Sequence, residues 1–188
     1  MKSPVLLLFI VACLAQWAAP LSQIWTHEQS LTEGILIRLK CRAPDPYDPL
    51  RGRFLAVVPD QDEAPLTAGE KVEDGQRVYA VIMPGAEGLA DVVGVSVKRP
   101  EGGIYVRVTA RYVSETKVHF DWPFERFYIN ERLAPEADKW LAENLRSEDG
   151  VIAEVRVLDG RAVLADLTLK GRPFREILQE RIQAAPAP

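Results

Sequence analysis

The chain has 188 residues, with 23 basic and 27 acidic side chains, two cysteines and two histidines. That length suits one domain of roughly 100–200 residues. The mild acidity excludes a nucleic-acid binder, which needs a basic patch to displace counterions from phosphates, and it leaves no polybasic patch for a membrane surface. Cys13 and Cys41 are too few for a disulfide-stapled module, and His27 and His119 show no ligand spacing, so neither a metal nor another cofactor is expected.

The first element is the uncharged run Pro4 to Trp25. Among residues 1 to 26 only Lys2 is charged, so the remainder carries 22 basic and 27 acidic side chains. As a helix rising roughly 1.5 Å per residue, the run crosses about 30 Å of hydrocarbon. Trp17 and Trp25 sit where an aromatic belt would lie. Gln16, Pro20, Ser22 and Gln23 weaken its second half. An uncleaved signal anchor is the leading reading. A cleaved signal peptide with the h-region Val5 to Ala15 and a lipoprotein signal ending at Cys13 stand behind it. A buried core helix of a cytosolic protein has the least support, because nothing in the run is amphipathic. Lys2 before the span and His27, Glu28 and Glu33 after it favour N-in, C-out. The domain is therefore expected on the periplasmic side of the cytoplasmic membrane.

Thr26 to Glu33 reads as a linker or a continuation of the helix, ending at Gly34. Ile35 to Arg42 alternates: Ile35, Ile37, Leu39 and Cys41 face one way, and Arg38, Lys40 and Arg42 the other, which predicts a half-buried strand. Ala43 to Pro49 is a Pro-Asp turn region, where proline fixes φ and extends the residue before it. Gly52 to Val58 is a second strand, Pro59 to Glu73 a polar loop and Gln76 to Met83 a third strand. Asp91 to Lys98 and Gly103 to Tyr112 read as a hairpin turning at 99–103. Lys117 to Trp122 and Phe124 to Ile129 are short aromatic strands. A helix is predicted from Pro135, with Ala137, Trp140 and Leu141 inward. Ile152 to Leu158 and Arg161 to Leu169 flank Asp159-Gly160, the pair preferred in a type I′ hairpin turn. The last helix, Pro173 to Gln183, places Phe174, Ile177, Leu178 and Ile182 on one face.

Two regions concentrate unusual residues. In Ala43 to Phe54, Asp45 and Asp48 lie on a stiff turn beside Arg51 and Arg53. Such turns can hold carboxylates for acid–base work, but more often the Asp side chains bond their own loop. In Trp122 to Glu131, the polar Glu125, Arg126, Tyr128 and Glu131 stand among aromatics. This is a binding surface or, more commonly, an aromatic core strand with charges toward solvent. Cys41 with His119 has the composition of a thiol dyad, yet Cys41 falls on the apolar face of its strand and reads as a buried, inert thiol. Hydrolase, metalloprotease and phosphate-loop motifs are missing, so no catalytic residue is assigned and the reading leans away from an enzyme.

The order of these features resembles the GDYXXLXY family, bacterial membrane-associated proteins of unknown function. One apolar span leads through a Glu-containing connector to Gly34 and a strand. Asp45 to Phe54 is similar to the family's Asp-Pro then Leu-Arg-Gly-Asp-Tyr passage. Arg126-Phe127-Tyr128-Ile129-Asn130-Glu131 is similar to its later aromatic passage, and the Asp159-Gly160-Arg161 hairpin fits as well. Where the family has Asp and Tyr after the glycine, this chain has Arg53 and Phe54, and Val57 and Pro59 replace the later Leu and Tyr. The resemblance implies a membrane-anchored domain working beside a multi-pass membrane protein.

The expected fold is α+β, predominantly antiparallel β with about eight strands and two short helices, preceded by one N-terminal transmembrane helix. The expected division is an anchor over residues 1–26, an extracytoplasmic domain over 27–183 and a disordered tail over 184–188. The expected partners are the membrane, through residues 4–25, and a membrane protein. Asp45, Asp48, Arg51, Gly52, Arg53, Phe54, Phe127, Tyr128 and Glu131 are the candidate motif and binding residues. The alternative is an envelope ligand-binding protein or hydrolase using Asp45, Asp48 and Glu131.

Overall fold

The computed structural model describes residues 4–42, 54–85, 88–114, 116–124, 126–128, 151–169 and 171–184. A long helix, α1 (Pro4–Glu33), precedes an antiparallel β-rich domain that ends in a short helix, α2 (Phe174–Ala184). One five-stranded sheet has the order β12 (Arg172–Pro173), β11 (Arg161–Leu169), β10 (Val151–Leu158), β1 (Ile35–Arg42), β3 (Val58–Pro59). A second has the order β4 (Glu63–Pro65), β8 (Lys117–Asp121), β7 (Ile104–Val113), β5 (Arg77–Pro84), β6 (Ala90–Ser96). β2 (Phe54–Ala56) and β9 (Arg126–Tyr128) form a separate pair.

Period-two patterning builds the core. Val151, Ala153, Val155 and Val157 of β10 are buried, and β1 inserts Ile37, Leu39 and Cys41 beside them. From the second sheet come Val78, Ala80 and Ile82 of β5, Val106, Val108 and Ala110 of β7, and Val118 and Phe120 of β8, all in the same apolar cluster. A short alternating strand buries one face and leaves the other to solvent, so two such sheets stabilise each other by sharing a core. The second sheet curls at its margin. Leu66, just after β4, bridges Val95 of β6 in parallel, and the Thr67 N–H donates to the Val95 carbonyl at 2.9 Å.

The Asp159-Gly160 turn forms as its sequence predicts, with φ of 52° at Asp159 and 77° at Gly160. It also joins the two sheets: the Arg107 N–H donates to the Gly160 carbonyl at 2.8 Å. A Cβ on Gly160 would lie 2.9 Å from the Tyr105 ring, so both the backbone conformation and the available space require glycine there.

α1 runs thirty residues, about 45 Å. Thr26 to Glu33 is helix rather than linker, and the helix continues through Pro20. Its apolar stretch is long enough to cross a membrane, and none of that stretch is buried. Its last turns lie on β10 and β11. The Gly34 N–H donates to the Ser30 carbonyl at 3.1 Å, and the Arg156 guanidinium donates to the Gly34 carbonyl at 2.9 Å. A Cβ on Gly34 would meet the Ser30 carbonyl at 2.3 Å and the Val157 nitrogen at 3.1 Å. Glycine is what lets the helix end flush against β10.

Three local expectations are corrected. β6 and β7 are not a hairpin, because β5 lies between them and pairs with both. The 99–103 connection reaches past one intervening strand, so its glycines do not dictate pairing. The predicted loop from Pro59 to Glu73 contains β4, which pairs with β8 and buries Ala64; three residues ending in proline give almost no strand signal. Ile35 is 55% exposed and stands outside the β1 core row. Twelve short strands are described rather than about eight. The helix expected from Pro135 lies outside the described residues.

Candidate functional site

Of the candidate residues, Asp45, Asp48, Arg51, Gly52, Arg53 and Glu131 lie outside the described residues. The other three come together. Phe54 pairs with Tyr128, and Leu55 pairs with Phe127, across β2 and β9. Strands seventy or more positions apart in sequence thus bring the end of the Leu-Arg-Gly passage against the aromatic passage.

Four rings in and just before this passage are interior. Phe120, Trp122, Phe124 and Phe127 are all buried. Phe120 meets Trp122 edge-on with centroids 5.5 Å apart, and Trp122 leans on Phe124 at the same spacing. Phe127 packs edge-on to Phe174 of α2 at 6.2 Å, and the Arg175 guanidinium lies 5.3 Å from its ring centre. The indole N–H of Trp122 donates to the Gln61 carbonyl at 2.9 Å. The Gln61 side chain accepts from the Val92 N–H at 2.7 Å. These rings hold β8, β9 and α2 together and present no apolar face to solvent.

Three titratable groups are shifted by their surroundings. The Cys41 thiol is buried and donates to the Leu39 carbonyl at 3.7 Å. Burial pushes its pKa up to about 12, which matches an inert thiol. His119 belongs to the other sheet, where it lies 3.1 Å from Glu63 and tilts on Tyr112. The hydrogen bond from Lys117, helped by the Lys117 and His119 charges, holds the Glu63 carboxyl below its ordinary range. Burial raises Asp166, against the opposing pull of the Leu167 N–H and the Arg175 charge. Among the described residues no His, Cys, Asp and Glu group could hold a metal ion.

A cavity lies where α1 meets the domain. It has a volume of about 360 Å3. Ser22, Gln23, Thr26, His27 and Ser30 line it from the helix. Opposite are Arg107 of β7, Pro123, and the hairpin tip from Gly160 to Val163, including Arg161. The hydroxyls of Ser22, Thr26 and Ser30 recur every four residues and donate back to the carbonyls of Ala19, Ser22 and Thr26. The helix thereby lines the cleft with hydroxyl oxygens whose protons are already used. The Arg161 Nε is enclosed and has no hydrogen-bond partner among the described residues. Sequence reasoning missed this cleft. Its one local signal was the four-residue repeat of hydroxyls at the polar end of an otherwise apolar helix; the arginines arrive from strands distant in sequence.

The family model described as GDYXXLXY protein matches residues 16–167. No curated protein and no solved structure matches the chain. The matched region runs from the second half of α1 through both sheets to β11, and includes the β2–β9 pair and the Asp-Gly hairpin. With most of its length matched in this way, the chain belongs to the GDYXXLXY family.

Proposed function

We propose that the chain is a membrane-anchored accessory module. Residues 4–25 cross the cytoplasmic membrane with the N-terminus inside, and the β-rich domain works on the extracytoplasmic side beside a membrane protein. The observation that carries this reading is the contrast within α1: its apolar stretch is exposed along its length, while its polar end is seated on β10 and β11. Exposed apolar helix surface of that extent is unfavourable in water and favourable in lipid. Gln16 supports a helical partner. It is exposed within the apolar run, and a side-chain amide at membrane depth gains by hydrogen-bonding across helices.

Three measurements test the reading. Carbonate-washed membranes should retain the chain, and protease added to spheroplasts should digest the domain. Release by carbonate, or protection from protease, would count against the anchor or its orientation. Gln16→Leu should leave retention unchanged while reducing recovery of a co-purifying membrane protein. Recovery of the chain alone in mild detergent would count against the partner.

A second reading, an envelope ligand-binding protein or hydrolase using Asp45, Asp48 and Glu131, draws support from the β2–β9 pairing, which joins the two strands next to those passages. Asp48→Asn and Glu131→Gln should then abolish ligand binding without lowering the melting temperature. Unchanged binding would remove this reading.

A further inference from the structure

We propose that the cleft between α1 and the Asp159-Gly160 hairpin binds the phosphate of a glycerophospholipid headgroup. This rests on the reading of α1 as a membrane anchor. Three observations converge on it.

The first is charge. Arg107 and Arg161 both line the cleft. Asp159, the carboxylate of the hairpin tip, is already paired with Arg99 at 3.2 Å. Among the described residues no carboxylate pairs with Arg107 or Arg161, so neither guanidinium is neutralised there by an ion pair. Guanidinium groups satisfy phosphate oxygens through paired, charge-assisted hydrogen bonds. The second is hydrogen-bonding polarity. The helix hydroxyls have spent their protons on backbone carbonyls, so donors for an anion come from the arginines and the Gln23 amide. The hydroxyl oxygens remain as acceptors for the hydroxyl or ammonium groups that a headgroup carries beyond its phosphate. The third is depth. If hydrocarbon begins near Pro4, about 20 helical residues bring its far edge near Gln23, and the headgroup layer occupies roughly the next 5–8 Å. The cleft, lined by Ser22 to Ser30 of the helix, opens at that level. Its volume of about 360 Å3 falls in the small-ligand class.

A free inorganic phosphate would use the same arginines, so the experiment separates the two sources. Full-length protein in phosphate-free maltoside detergent is titrated with dioctanoyl phosphatidylglycerol, dioctanoylglycerol and inorganic phosphate. The phospholipid should bind, dioctanoylglycerol should not, and inorganic phosphate should compete only at concentrations at least a hundredfold higher. Arg107→Gln/Arg161→Gln should weaken phospholipid binding at least tenfold. Lys40→Gln/Lys71→Gln, on exposed positions outside the cleft lining, should leave it unchanged. Arg107 is exposed, so Arg107→Gln alone, expected to weaken binding at least threefold, keeps the test decisive should the double variant fail to fold. Phospholipid binding that ignores both arginines overturns the proposal. Inorganic phosphate binding as tightly as the phospholipid overturns the lipid assignment. Carbonate extraction of the same variants separates the failures: arginine-independent lipid binding with membrane retention intact removes the cleft alone, whereas a carbonate-soluble chain removes the anchor.

Discussion

The two ends of α1 invert the usual rule. Leu6, Leu7, Leu8, Phe9 and Trp17 are exposed, while Ser30, a hydroxyl residue, is fully buried. In a water-soluble protein the apolar end would be the one seeking cover. Here the polar end is covered by the domain, and the apolar end has no cover among the described residues. Under the proposed anchoring, the same helix meets two environments, and its sequence changes at the boundary between them. The apolar half would then lie in lipid, and the polar half, locked by Gly34 and Arg156, would fix how the domain is held relative to it.

The contrast can be broken at either end. The largest effect should come from Val11→Arg/Leu14→Arg. Each arginine near the middle of a span costs roughly 2.5–3.5 kcal/mol of insertion, so the chain should leave the carbonate-resistant fraction while the domain keeps its melting temperature. A melting temperature that falls with it would mean that the apolar end contributes to the fold. Next is Gly34→Val. Its side chain would press into the Ser30 carbonyl and the Val157 nitrogen, and overpacking of this kind destabilises by about 1–3 kcal/mol. Limited proteolysis should then cut between α1 and β1, with membrane retention unchanged. Arg156→Gln is milder. Removing the charged donor to the Gly34 carbonyl should lower stability by about 1–2 kcal/mol, read as a shift in urea midpoint.

The smallest expected effect sharpens the comparison by acting away from the seat. Asp166 of β11 has a carboxyl pKa raised by burial. The folded state therefore holds its proton more tightly than the unfolded chain does. Its stabilising contribution is full below the ordinary aspartate range and fades as pH rises through the raised value. Glu63, lowered by Lys117, acts in the opposite sense: its contribution is present at neutral pH and fades as pH falls through its depressed value. Asp166→Asn should remove the decline on the upper side of the carboxylate range and leave the acid-side loss in place. A melting curve with the wild-type pH profile would show that burial at Asp166 is not what sets it.

What could be read from the sequence divides along the range of the interactions. β1, the Asp159-Gly160 hairpin, α2 and the apolar span are each written within a dozen or two neighbouring residues: alternation in Ile37, Leu39 and Cys41, positive φ at Asp159 and Gly160, and the row of Phe174 and Ile177 against the core. Pairings that cross the chain left no such trace. β1 lies on β10, with Arg38 paired to Glu154 at 3.0 Å. β5 enters between β6 and β7 although a glycine-rich turn links those two. The cleft is the extreme case, because α1, β7 and the β10–β11 hairpin each supply part of it. No single segment resembles a site. The burial of four aromatic rings was illegible for a different reason. Phe120, Trp122, Phe124 and Phe127 have the composition of an interface, and composition alone does not distinguish an exposed ring from a buried one.

The unbroken passage of α1 into its seat has a mechanical consequence. A helix without a joint is both ruler and protractor. In the proposed setting, one residue inserted between Leu21 and Thr26 would raise the sheets by about 1.5 Å and swing them about 100° around the helix axis. The flank that met a neighbour in the bilayer plane would then face elsewhere, with every contact inside the domain intact. Four inserted residues would restore the heading to within about 40° and add only about 6 Å of height. Recovery of partner binding with that periodicity would identify the helix as the device that aims the domain.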